Sequence, residues 1–299
     1  MNAIEVIDLD FEYSNKQPLI QDLNMNIPHG GIYGFLGPNG AGKTTTLKLI
    51  LNLLKFGDKG TINVLGKNIG SNYPIYLNQL GSLIEEASVY HHLTAVENLK
   101  IWSNYNNTNA TRVEEVLEII GLSHTGKKKV KFFSTGMKQR LGIGIAILHD
   151  PEVLILDEPT NGLDPVGLGD LRKMMQNFTA QGKTILLSSH MLSEVEKMAD
   201  HIGIIKNGNI IFEGTLAELN KRTAQASNVF VVVGDNEKAK AQLDKSFRTK
   251  IVDDHLEISI SSKEDINEIV KLIIEKDILL YEVIQPKQNL ESLFMKLSK

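Results

Sequence analysis

The 299-residue chain predicts an α/β fold, with a mostly parallel sheet, antiparallel strands at its N-terminal end and a small C-terminal α+β domain. Three observations carry that prediction. Continuous apolar runs such as Val153–Leu156 and Thr184–Ser188 alternate with stretches of helical period, the pattern of a buried parallel sheet. Residues 37–45 read Gly-Pro-Asn-Gly-Ala-Gly-Lys-Thr-Thr, a glycine-rich phosphate-loop motif set between an apolar run and a helical one. A polar stretch, Lys221–Asn228, separates these elements from a second group and gives expected domains of residues 1–220 and 221–299.

Residues 3–35 alternate apolar and polar in short runs, as strands that lead into the glycine loop. Leu and Ile recur at helical spacing from Thr44 to Leu54, and residues 61–66 form a further strand. Apolar positions three and four apart mark helices around Ala95–Leu99 and Val113–Ile120, with a polar break at Asn104–Asn109. Ser134–Leu148 is helical up to His149-Asp150-Pro151, and Leu168–Gln181 is helical between the two apolar strands. Asn207-Gly208 joins Ile202–Lys206 to Asn209–Phe212 as a hairpin. After a short helix at Leu216–Asn220 and the linker, strands are expected at Val229–Val233, His255–Ile260 and Ile278–Ile284. Helices are expected at Lys238–Lys245, Lys263–Lys276 and Leu290–Leu297.

Composition excludes several functions. With 32 Lys+Arg against 36 Asp+Glu, the net charge of −4 argues against binding nucleic acid through a general positive field. The absence of cysteine excludes disulfides, thiolate metal sites and Cys nucleophiles. No apolar stretch approaches the roughly 18 residues of a membrane span, and the N-terminus has no signal-peptide pattern, so a soluble intracellular chain is expected. Lys127-Lys128-Lys129 reads as a solvated face, His91-His92 as loop, and Trp102 as packing or partner-facing.

The glycine loop defines the ligand class. Gly37, Pro38, Asn39, Gly40, Ala41, Gly42, Lys43, Thr44 and Thr45 would turn backbone N–H groups toward phosphate oxygens at the positive end of a helix. Lys43 would reach the β- and γ-phosphates, and the Thr44 hydroxyl would ligate Mg²⁺. Asp157 and Glu158 follow an apolar strand. The first is suited to hold Mg²⁺ through water, and the second to act as general base for a water attacking the γ-phosphate.

Between these motifs, Phe133-Ser134-Thr135-Gly136-Met137-Lys138-Gln139-Arg140 precedes an apolar helix and resembles the signature segment of the ATP-binding-cassette (ABC) ATPases, usually Leu-Ser-Gly-Gly-Gln. The resemblance covers about residues 3–219 and implies a P-loop ABC ATPase core with a helical signature subdomain. It implies that Ser134 and Gly136 grip ATP on a second copy of the chain, with Thr135 and Met137 departing from the common form. By the same resemblance Tyr13 stacks on adenine, Asp164 closes a loop at the dimer seam, and His190 contacts the γ-phosphate. Glu85 stands where the family commonly has a Gln that meets Mg²⁺, and a register one residue different would put Glu86 there. Glu in the setting Gly81-Ser82-Leu83-Ile84-Glu85 is similar to exporters of the bacitracin and lantibiotic-immunity type.

The resemblance therefore implies an ATP-hydrolysing subunit on the inner face of the membrane, bound to a separate permease and exporting a peptide antibiotic for self-immunity. Alternatives are an exporter subunit for drugs or other small molecules, a soluble ABC ATPase of ribosomes or nucleic acid, and an ATP-binding regulator without turnover. One phosphate loop, no heptad run and an acidic charge argue against nucleic acid. Lys43, Asp157, Glu158 and His190 together argue for turnover.

Overall fold

The structure is a computed structural model and describes residues 2–13, 18–57, 59–223, 227–262 and 264–285. Packing divides the chain into two compact units, one running to Leu216 and the other beginning at Ala217.

The first unit opens with β1 (Asn2–Glu12) and β2 (Pro18–Pro28), an antiparallel pair. Its inward positions, among them Ile4, Leu9, Leu23 and Met25, are fully buried, as alternation along a half-buried strand requires. β3 (Gly31–Leu36) runs into the glycine loop and α1 (Lys43–Ile50) leaves it. α1 stops short of the expected Leu54 because Asn52 takes a left-handed φ of 56° and ends the helix. β4 (Thr61–Val64) and β5 (Lys67–Asn68) complete an antiparallel sheet in the order β2-β1-β4-β5.

β6 (Leu80–Leu83) leads to three helices: α2 (Ala95–Tyr105), α3 (Ala110–Ile119) and α4 (Thr135–Ile147). Side chains of Thr94, Asn109 and Ser134 cap their N-termini, and Thr94 with Glu97 makes a reciprocal capping box. The Arg112 guanidinium on α3 donates to the Ile147 and Leu148 carbonyls at the end of α4 and ties the two helices together. β6 was not foreseen; its Gly81 leaves no room for a Cβ, which would run into the Ala146 carbonyl of α4.

β7 (Val153–Asp157), α5 (Pro165–Ala180), β8 (Thr184–Ser189), α6 (Leu192–Val195), β9 (His201–Lys206) and β10 (Asn209–Thr215) follow. α5 starts three residues before the expected Leu168, because the Asp164 carboxylate caps the Gly167 N–H at 2.7 Å and Pro165 suits the first helical turn. The second sheet has the order β10-β9-β3-β8-β7-β6, parallel except for the β9–β10 hairpin. β7 and β8 are buried at every position, so continuous apolar sequence is what they need. The core joins β1, β2, β3 and α1 through Leu9, Met25, Phe35, Leu47 and Ile50.

α7 (Leu216–Thr223) and β11 (Ser227–Val233) correct the expected linker, which leaves only residues 224–226, outside the described set. Lys and Arg are good helix formers, so polar composition alone does not end a helix. The second unit continues with α8 (Asn236–Leu243), β12 (Thr249–Val252), β13 (His255–Ile260), α9 (Glu264–Ile274) and β14 (Leu280–Ile284). Its antiparallel sheet, in the order β12-β13-β11-β14, buries Val229, Val231, Leu256 and Ile258 with Leu243, Ile269 and Ile273. The unforeseen β12 is only four residues long, and the helix expected at Leu290–Leu297 lies outside the described residues.

Candidate functional site

The C-terminal ends of β3, β7 and β8 lie side by side, with Leu36 opposite Ser189 and Asp157 opposite Ser188. In a parallel sheet this edge is where loops open a crevice for ligands. The glycine loop occupies it. Gly40 (φ 80°) and Gly42 (φ 110°) hold the left-handed backbone that lets successive N–H groups face one side. No side chain caps α1 at Gly42, so the first N–H groups of that helix stay open to an anion.

Lys43 is buried, only 6% exposed, and its Nζ donates to the Gly37 carbonyl at 2.8 Å and the Pro38 carbonyl at 3.3 Å. Glu158 Oε1 stands 3.6 Å from the same ammonium. The other carboxylate oxygen, Oε2, lies 2.8 Å from His190 Nδ1 and accepts from the His190 backbone N–H at 3.3 Å. The Thr44 hydroxyl donates to Asp157 Oδ2 at 2.9 Å. Ser188 Oγ donates to Asp157 Oδ1 at 2.5 Å and accepts from the Glu158 backbone N–H at 2.9 Å. Lys43, Thr44, Glu158 and His190 thus meet around a cavity of about 330 Å³ that Asn39, Gly40, Gly42, Thr45, Leu19 and Asn161 also line. Past His190, α6 is anchored by Glu194, which takes bonds from Lys197 at 2.6 Å and from Arg172 of α5 at 2.9 Å. Those partners, Lys197 first, hold its carboxyl below the usual range.

Other residues singled out from the sequence do not line this cavity, although Tyr13 reaches Thr45, which does. Ser134, Gly136 and Asp164 line a second cleft of about 320 Å³, which shares no lining residue with the first. There Ser134 accepts from the Met137 N–H at 3.3 Å, and the Thr135 methyl leaves little room at Gly162. Tyr13 is half-exposed, its ring edge-on to Phe11 at 4.9 Å and its hydroxyl 3.4 Å from Thr45 Oγ1. Glu85 is not brought to the Thr44–Asp157 pair; it accepts from Lys48 Nζ at 2.6 Å. Trp102 packs edge-on to Tyr105 with its Nε1 buried. The buried Asn98 side chain fastens the loop before α2 by bonding both the N–H and the carbonyl of Tyr90.

Sequence reasoning missed Ser188, Leu19 and Lys48. The signal for Ser188 was the polar end of an otherwise apolar strand, but its partner lies on another strand, 31 residues away. Among the described residues no three His, Cys, Asp or Glu converge as a metal centre. Thr44 and Asp157 nevertheless offer adjacent oxygen donors, which suits a hard cation such as Mg²⁺ that completes its shell with phosphate and water.

A family model described as ABC transporter matches residues 20–161. The chain is 40% identical to the bacitracin transport ATP-binding protein BcrA of Bacillus licheniformis, over 98% of this chain and 96% of that protein. It is 43% identical to the lantibiotic transport ATP-binding protein SrtF of Streptococcus pyogenes, over 66% of this chain and 85% of that protein. A solved ATP-binding subunit of an ABC transporter superposes with a TM-score of 0.66 at 31% identity, covering 74% of this chain and 92% of that one.

Proposed function

The chain belongs to the ATP-binding subunits of ABC transporters and is an ATPase, and from that premise we propose that it powers export of a peptide antibiotic through a separate permease, for self-immunity. The observation that carries the chemistry is the junction of Lys43, Glu158 and His190 at one cavity. The relatives named for bacitracin and lantibiotic transport support the cargo class.

In this reading, the loop N–H groups and Lys43 bind the phosphates, and Tyr13 stacks on adenine. Glu158 accepts a proton from a water as the water oxygen forms its bond to the γ-phosphorus. The bond from that phosphorus to the bridging oxygen breaks, and ADP keeps the electron pair. General-base help of this kind is worth about 10²–10⁴ in rate. His190, hydrogen-bonded to Glu158, orients the carboxylate and has its ring at the γ-phosphate end of the site. Mg²⁺, when bound, neutralises charge on the β- and γ-oxygens. Thr44, Asp157 and Glu85 would hold it, Glu85 only after leaving Lys48.

Two copies would pair so that Ser134, Gly136 and Asp164 of one face the phosphate loop of the other. The separation of the two clefts within one chain supports that arrangement. No helix among the described residues is long and apolar enough to cross a membrane, so the membrane path would belong to the permease, with this chain peripheral on its inner face. The unit beginning at Ala217 is read as an accessory domain. Cells carrying the chain and its permease should tolerate bacitracin or a lantibiotic, and Lys43→Ala should abolish that tolerance. Equal tolerance in the two strains for both drug classes would overturn the cargo assignment.

A further inference from the structure

Lys48 stands four residues beyond Thr44 on α1, on the same helix face, and Thr44 bonds Asp157. Lys48 Nζ reaches across to Glu85 Oε1 at 2.6 Å. Glu85 has a left-handed φ of 60° at the point where β6 gives way to the loop before α2. The same loop is fixed at Tyr90 by the buried Asn98. Its far end is also held by the Val130 and Lys131 N–H groups, which donate to the Leu93 and His91 carbonyls, whereas the tether near Glu85 is a partly exposed ion pair on the helix of the phosphate loop. The Lys48 ammonium is held above its ordinary value by the bond to Glu85, against the opposing effect of burial, with the charges of Glu85, Tyr13 and Asp157 adding to the rise.

We propose that Lys48 is a positioning residue that competes with the divalent metal for the Glu85 carboxylate, linking metal occupancy to the loop between β6 and α2. The inference rests on the reading of Glu85 as a metal ligand. A carboxylate paired with Lys48 is neutralised while the metal is away. When the metal draws Glu85 in, the ammonium loses its partner and faces a second cation. Removing Lys48 has two effects of one sign. Without metal, Glu85 becomes an uncompensated charge that opposes the phosphates. With metal, Glu85 is free to ligate at no cost of breaking a pair. The ratio of nucleotide affinity with metal to affinity without it must rise.

The test uses the full chain and the non-hydrolysable analogue AMP-PNP, titrated calorimetrically in Mg²⁺ or in EDTA, so the readout is binding and not turnover. For a partly exposed ion pair, Lys48→Met should raise the ratio about two- to fivefold. Lys48→Gln should do the same, and Lys48→Arg should stay near wild type. In a Glu85→Gln background, Lys48→Met should leave the ratio unchanged, which a mere helix-end effect of the lysine would not produce. An unaltered ratio in Lys48→Met, or an equal rise in the Glu85→Gln background, would overturn the proposal. If Glu85→Ala alone leaves the ratio at the wild-type value, Glu85 does not meet the metal, and the proposal falls with that reading.

Discussion

Glu158 shows how much one side chain depends on its neighbours. One carboxylate oxygen lies toward Lys43 at 3.6 Å and the other toward His190 at 2.8 Å, while its backbone N–H is held by Ser188. Replacing the carboxylate with an amide keeps the shape and the Lys43 contacts with the Gly37 and Pro38 carbonyls, but removes the proton acceptor. Glu158→Gln should therefore bind ATP as the parent does and slow steady-state phosphate release by about 10² or more. Release within a few-fold of the parent would remove Glu158 as the base. Lys43, Thr44, Asp157 and Glu158 were legible as candidates because each belongs to a short contiguous pattern, and His190 was legible only through the family resemblance and its place after a strand. Ser188 and Lys48 were not, since each matters through a partner distant in sequence.

At the scale of elements, His149 joins the end of α4 to the edge strand β6, its Nε2 lying 3.0 Å from the Leu80 carbonyl oxygen. Burial pushes its imidazole below the ordinary 6.5; the Leu80 bond and Asp150 oppose that shift, while Lys183 and Arg112 add to it. A depressed folded value means that the folded state favours the neutral ring. Its contribution is present above pH 6.5 and is lost as the pH falls through that value toward the folded one. The melting temperature should fall between neutral pH and mild acid, and His149→Gln, which keeps an amide donor for Leu80 but cannot charge, should fall less. Equal acid sensitivity in both proteins would show that His149 has no part in it. Asp150, lowered by its bond to Lys183, loses its contribution only in stronger acid. Element ends were less legible than element types. Asp164 and Pro165 start α5 early, and a left-handed Asn52 stops α1, both through local backbone geometry that hydrophobic period does not encode.

At the scale of the whole molecule, the two clefts of the first unit predict how activity should combine between copies. If each ATP site joins the phosphate loop of one chain to Ser134 of the other, Lys43→Ala and Ser134→Arg homodimers are both inactive. A mixed dimer has one site with both defects and one with neither, so hydrolysis should reappear on mixing and peak near equal amounts. No recovery in mixtures with proven dimerisation and folded subunits would contradict the shared site. The Ser134 cap on Met137 makes folding a necessary control, because losing an N-cap costs about 1 kcal/mol.

The sequence by itself determined the fold class, the phosphate loop and the ATPase family. The first two are written in contiguous residues whose period or spacing has one physical reading, a glycine turn before a helix or an apolar run fit only for a buried strand. The family came instead from the resemblance of residues 133–140 to a known motif. Tertiary structure alone decided which groups meet. Thr44 finds Asp157 across 113 residues, Lys43 shares Glu158 with His190, and Lys48 rather than Thr44 or Asp157 partners Glu85. Such pairings depend on strand order and register, which arise from burying the whole set of strands at once and which no local stretch of sequence specifies.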